Sequence, residues 1–175
     1  MQKKNYRINW LHLSVNQKSS DNEFRELGIK RNNNFDRHNF EASYLTFKSW
    51  ITIIINYLTI IGLVNKTRVI QLVSNKNLID SFFLNDFLNS FSGPILIQNL
   101  IYIESFDNLF KDLLKQNIGF YLQENQGWEL SLVNAWKKYN HGELTSVQHS
   151  TVSFWDLRYN NPFKNKNIIK YSPDF

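Results

Sequence analysis

The stretch from Ile118 to His149 reads IGFYLQENQGWELSLVNAWKKYNHGELTSVQH, and its grammar decides the fold. Ile118 to Gln123 (IGFYLQ) is a short run rich in β-branched and aromatic residues, the composition of a strand. Trp128 to Asn140 then puts Trp128, Leu132, Ala135, Trp136 and Tyr139 on one helical stripe, with Lys137 and Lys138 away from it. Gly142 stands where a helix C-terminal stop is expected, and Leu144 to His149 (LTSVQH) is the next strand. Strand, helix and strand with a connection of this length imply a parallel pair and a right-handed crossover. The expected fold class is therefore α/β, a Rossmann-like parallel sheet flanked by helices.

Upstream the same grammar repeats. Ser105 is expected to start a helix with Phe106, Leu109, Phe110, Leu113 and Leu114 on one face, after a short strand at Ile95 to Ile97 or Leu100 to Ile103. Gly93-Pro94 ends an earlier helix, Lys76 to Phe91, for which Ser74 and Asn75 are suitable N-caps. Arg68 to Val73 (RVIQLV) is a β-branched strand. Ala42 to Leu63 reads as a long apolar helix. Within it Ser49 to Val64 has no charge but falls short of the ~20 apolar residues that span a bilayer. A buried helix is the preferred reading, ahead of one lying on a membrane. Ile8 to Val15 is a first strand, and the Asn-rich stretch from Asn16 to Asn39 is a long loop or loose helix. Three regions follow: a strand and polar loop over 1–41, an α/β domain over 42–159, and a polar linker over 160–175 that leads towards a second domain.

Composition narrows the function classes. The chain has 175 residues, 42% hydrophobic and 15% aromatic, enough for a real core and unlike a disordered protein. With no cysteine there is no thiolate nucleophile or Cys-based zinc site, and a reducing cytoplasm is favoured. The net charge of +5 sits at the ends: about +4 before Asn39, −1 from Asn39 to Trp155 and +2 after it. Asn occupies roughly one position in seven, which reads as compositional drift rather than as a binding face. No phosphate-loop or dinucleotide signature occurs, the four histidines lack metal-ligand spacing, and no nucleic-acid module is visible.

In an open parallel sheet, ligands gather beyond the C-terminal ends of the strands. The first such loop is Glu124-Asn125-Gln126-Gly127-Trp128-Glu129. Gly127 allows a tight turn into free helix N–H groups, Asn125 and Gln126 suit sugar hydroxyls, and Glu124 is a candidate general base if burial raises its pKa. The alternative is that Asn125 or Gln126 caps the helix and Glu129 favours its positive end. The second loop follows His149, a candidate acid/base, and runs through Ser150, Thr151, Trp155, Asp156 and Arg158. Asp156 and Arg158 either pair with each other or leave Arg158 to bind a carboxylate or phosphate. Trp155 either stacks on a sugar face or joins the core.

The blocks Glu124 to Glu129 (ENQGWE), His141-Gly142, His149 to Val152 (HSTV) and Phe154 to Tyr159 (FWDLRY) resemble the bacterial surface-carbohydrate biosynthesis proteins of O-antigen and capsule loci. They cover roughly a quarter of the chain. The resemblance implies a glycosyltransferase-B-like protein of which this chain supplies the N-terminal, acceptor-side half. Glu124 and His149 would then be the catalytic pair. Asn125, Gln126, Gly127, Glu129, Ser150, Thr151, Trp155, Asp156 and Arg158 would bind substrate. No cofactor is expected in this chain, since a nucleotide-sugar donor belongs with a second domain. The expected partners are a sugar or lipid-linked acceptor and a separate C-terminal domain chain, with no nucleic acid. The expected place is the cytoplasm, with a peripheral position at the inner membrane as the alternative. A non-catalytic interaction module and, behind it, a nucleic-acid binder are the competing classes.

Overall fold

The structure, a computed structural model, describes residues 7–13, 37–66, 88–124 and 126–148, with the side chains of residues 65 and 66 outside that description. The elements in chain order are β1 (Asn9–His12), β2 (Arg37–Phe40), a 3-10 turn (Glu41–Tyr44), α1 (Phe47–Lys66), α2 (Pro94–Asp112), β3 (Ile118–Gln123), α3 (Gly127–Lys138) and β4 (Glu143–Gln148). The fold is mixed α/β, with two short parallel strand pairs among the described residues, β1–β2 and β3–β4.

The β3–α3–β4 unit forms as the sequence implies. Its register runs from Ile118 opposite Glu143 to Gln123 opposite Gln148. Alternation along β3 sends Ile118, Phe120 and Leu122 outward and leaves Gly119, Tyr121 and Gln123 on the helix-covered side. On that side Phe106, Leu109 and Phe110 of α2 meet Leu132, Val133, Ala135 and Trp136 of α3 and Leu144 of β4 in one core. Each large apolar side chain buried there contributes roughly 1.5–3 kcal/mol. Gly119 is required by this packing, because a Cβ there would lie 2.6 Å from the Trp136 ring. Leu11, Leu13 and Tyr44 pack against the same core, and Asn9 Nδ2 donates to Gln116 Oε1 at 2.7 Å, so the first strand is tied to the β3 side of the molecule.

Several expectations are corrected. Pro94 to Asp112 is one helix, with no strand at 95–97 or 100–103 and no fresh start at Ser105. The run ILIQNLIYI has strand-like composition, but Pro94 at the first helical turn favours a helix start. The buried positions Leu96, Leu100, Phe106, Leu109 and Phe110 follow helical spacing. Residues 37–40, read as the end of a polar loop, pair with β1 as β2. The apolar helix begins at Phe47, not Ala42: Thr46 Oγ1 accepts the Ser49 N–H and Ser49 Oγ accepts the Thr46 N–H, a reciprocal cap. That helix is not buried. Among its described side chains only Ser49 and Ile53 are buried, while Phe47 is 82% exposed. The expected strand Arg68–Val73, the caps Ser74 and Asn75, most of the helix to Phe91 and the tail 160–175 lie outside the described residues.

Candidate functional site

The parallel register brings two strand ends to one rim. Gln123 and Gln148 are direct partners at the C-terminal ends of β3 and β4, and α3 begins beside them. Of the expected site residues, Glu124, Gln126, Gly127 and Glu129 are described. Asn125, His149, Ser150, Thr151, Trp155, Asp156 and Arg158 lie outside the described residues. Glu124, Gln126 and Gly127 are exposed at this rim.

Glu129 has a definite role. It is buried at the third position of α3, and its Oε1 accepts the backbone N–H of both Glu124 and Gln126 at 2.8 Å. A carboxylate in the first helical turn also complements the positive end of the helix. Gln126 is the N-cap residue, with extended backbone. The side chain of Glu129 thus sets the shape of the loop from below, while Glu124 and Gln126 stand above it.

Three contributors escape a reading of the sequence. A Cβ on Gly127 would lie 2.5 Å from Asn99 Oδ1, so the Asn99 amide of α2 abuts the turn and would have to swing aside for any larger residue. Tyr121 lies edge-on to Trp128 with ring centroids 6.1 Å apart. Burial, and then the charge of Glu129, push the Tyr121 hydroxyl up to about 12, against an opposing hydrogen bond from Ser146. A signal exists for Tyr121 and Ser146, since strand parity puts both on the helix-covered face. Asn99 has none, because its position depends on α2 crossing α3.

The other end of α3 is built differently. The chain leaves the helix through Asn140, at φ 54°, with His141 N–H bonding Trp136 O at 3.2 Å and Asn140 N–H bonding Lys137 O at 3.1 Å. These are the paired bonds of a left-handed C-terminal stop, so Asn140 fills the place expected of Gly142. Gly142 serves close approach instead: a Cβ there would sit 1.9 Å from the Asn117 carbonyl oxygen. The Trp136 indole N–H donates to Gly142 O at 2.6 Å. His141 Nδ1 accepts the Gln116 N–H at 3.0 Å, which leaves Nε2 to donate to Phe110 O at 2.9 Å. Asp107 accepts from Lys138 Nζ and, at 2.9 Å, from the Tyr139 hydroxyl. The His141-Gly142 block is therefore structural.

On β1 and β2 the alternate positions Trp10, His12, His38 and Phe40 share a face, with His12 Nε2 and His38 Nδ1 3.0 Å apart. Two imidazoles do not make a metal centre, and no group of three or more His, Cys, Asp or Glu close enough to hold an ion occurs among the described residues. Chemically, the rim at Gln123 and Gln148 offers a helix N-terminus, an exposed carboxylate and amide donors and acceptors. Compared with family models, with curated proteins and with solved structures, the chain matches none.

Proposed function

We propose that this chain serves surface-polysaccharide synthesis as the acceptor-side half of a glycosyltransferase-like protein with a Rossmann-like sheet. The observation that carries the reading is the Gln123–Gln148 pairing in a parallel sheet, because Glu124 and His149 are the residues that follow them in the chain. Ligands of parallel α/β sheets bind beyond such strand ends. In this reading Glu124 accepts the proton of an acceptor hydroxyl and His149 assists in proton transfer. Asn125 and Gln126 hold sugar hydroxyls, Trp155 stacks on a sugar face, and Arg158 binds an acceptor phosphate through its planar fork. The nucleotide sugar is a substrate brought by a second domain or a separate chain.

Glycan-array binding of the 175-residue chain, followed by Glu124→Gln and His149→Ala, tests this. The expected result is selective binding of bacterial surface saccharides, weakened about tenfold by either substitution with melting unchanged. Absence of any saccharide binding, or binding indifferent to both substitutions, contradicts it. A non-catalytic interaction module is the second reading, favoured by Glu129 and His141 both being engaged in local backbone bonds. It predicts capture of a partner chain with no saccharide bound.

A further inference from the structure

Helix α1 presents Phe47, Trp50, Ile51, Ile54, Ile55 and Leu58 outward, at the spacing i, i+3, i+4, i+7, i+8, i+11, each between 44% and 82% exposed. One face of the helix is thus wholly apolar over about three turns. Soluble surfaces rarely expose a contiguous apolar patch of that kind unless something covers it.

The opposite face is fixed to the protein. Ile53 packs with Leu96 and Leu100 of α2, Asn108 Nδ2 donates to Ser49 Oγ at 2.8 Å, and the Tyr57 hydroxyl donates to Ser92 O at 2.8 Å. These contacts run along the helix and hold its axis against α2. A spanning orientation would either break these contacts or draw Glu104, Asp107, Lys111 and Asp112 of α2 into the bilayer, so an in-plane orientation is favoured.

Charge decides the occupant. No carboxylate occurs anywhere in α1, and the only charged residues are Lys48 at its start and Lys66 at its end. Between them the polar positions are all uncharged: Ser49, Thr52, Asn56, Tyr57, Thr59 and Asn65. A helix that pairs with another protein commonly carries flanking charges of both signs that fix partner and register. Cations at both ends, aromatic residues in the first turn and an apolar stripe between them instead match an anionic lipid surface. We infer that α1 docks this protein in the plane of an anionic membrane, with Phe47, Trp50, Ile54 and Leu58 in the acyl boundary. The inference stands whether or not the carbohydrate reading holds.

The test is flotation of the 175-residue chain with phosphatidylcholine vesicles, with and without phosphatidylglycerol, at low salt. The chain should float with the anionic vesicles, and the double substitution Ile54→Asp, Leu58→Asp should lower binding about tenfold or more. Both positions are exposed, so thermal melting should be unchanged. If the double variant does not fold, Trp50 decides: its emission should be quenched by brominated acyl chains, as the difference between wild type and Trp50→Phe. No flotation, flotation indifferent to the substitutions, or no quenching overturns the inference. Resistance to alkaline extraction would make the helix a spanning one and overturn it too. A dimer dissociated by the same substitutions, without vesicle binding, would identify a second copy as the occupant and overturn it as well.

Discussion

The two ends of α3 are built to different purposes. At its C-terminal end the side chains and backbone are committed to structure. Asn140 turns the chain, His141 bridges Gln116 and Phe110, and Trp136 bonds Gly142. Lys138 and Tyr139 share Asp107 there. Among the described residues of the N-terminal loop and first turn only Glu129 is buried, and it holds a loop whose Glu124, Gln126 and Gly127 are exposed. One end is tied into the core, and the other stands exposed at the strand ends. A block of unusual residues therefore need not act as one unit. Within the same resemblance, His141-Gly142 is explained by packing, and Glu129 by backbone hydrogen bonds.

The largest losses of stability are expected at the anchored end. Trp136→Ala removes the ring that packs against Phe110 and the bond to Gly142 O, and should cost about 3–5 kcal/mol by urea unfolding. Gly142→Ala drives a methyl group into the Asn117 carbonyl and should cost about 1–3 kcal/mol or more, again by urea midpoint. At the presenting end, Glu129→Ala strands two N–H groups. A loss of about 1–2 kcal/mol is expected, with faster hydrogen exchange at Glu124 and Gln126 and unchanged exchange at His141.

A smaller effect is expected through pH. The Tyr121 hydroxyl is pushed up from 10 to about 12 in the folded protein, so protonation favours the fold. Its contribution is fully present below about pH 10 and is lost as pH rises from there through about 12. Because Tyr121 is only half-buried, solvent screening reduces this to on the order of 1 kcal/mol. Urea midpoints across that window should fall less in Tyr121→Phe than in wild type, and identical slopes would remove the role given to burial and Glu129.

The β3–α3–β4 unit is legible in the sequence because strand alternation, helical stripe and connection length all agree there. The parallel pairing and the apolar stripe of α3 both follow from that agreement. Elsewhere local signals conflict. The β-branched run after Pro94 has strand-like composition yet forms helix, because Leu96 and Leu100 must reach Ile53 of α1. β2 is hidden, since RHNF has no strand signature and forms only by pairing with β1. Apolar content alone suggests that α1 is buried, but burial depends on how many neighbours a helix has, which no local pattern encodes. At the site, Glu124, Gln126 and Gly127 are legible from their place after a strand. Asn99 is not, because only the crossing of α2 and α3 brings it under the loop.

Backbone amide chemical shifts of the 175-residue chain, followed while saccharides that mimic bacterial surface-polysaccharide repeats are added, test the rim most directly. Saturable shifts at Glu124, Gln126, Gly127 and Gln148, with Asp107, Lys138 and His141 unmoved, are the predicted result. No saturable shift at the strand ends, or shifts confined to the anchored end of α3, would contradict it.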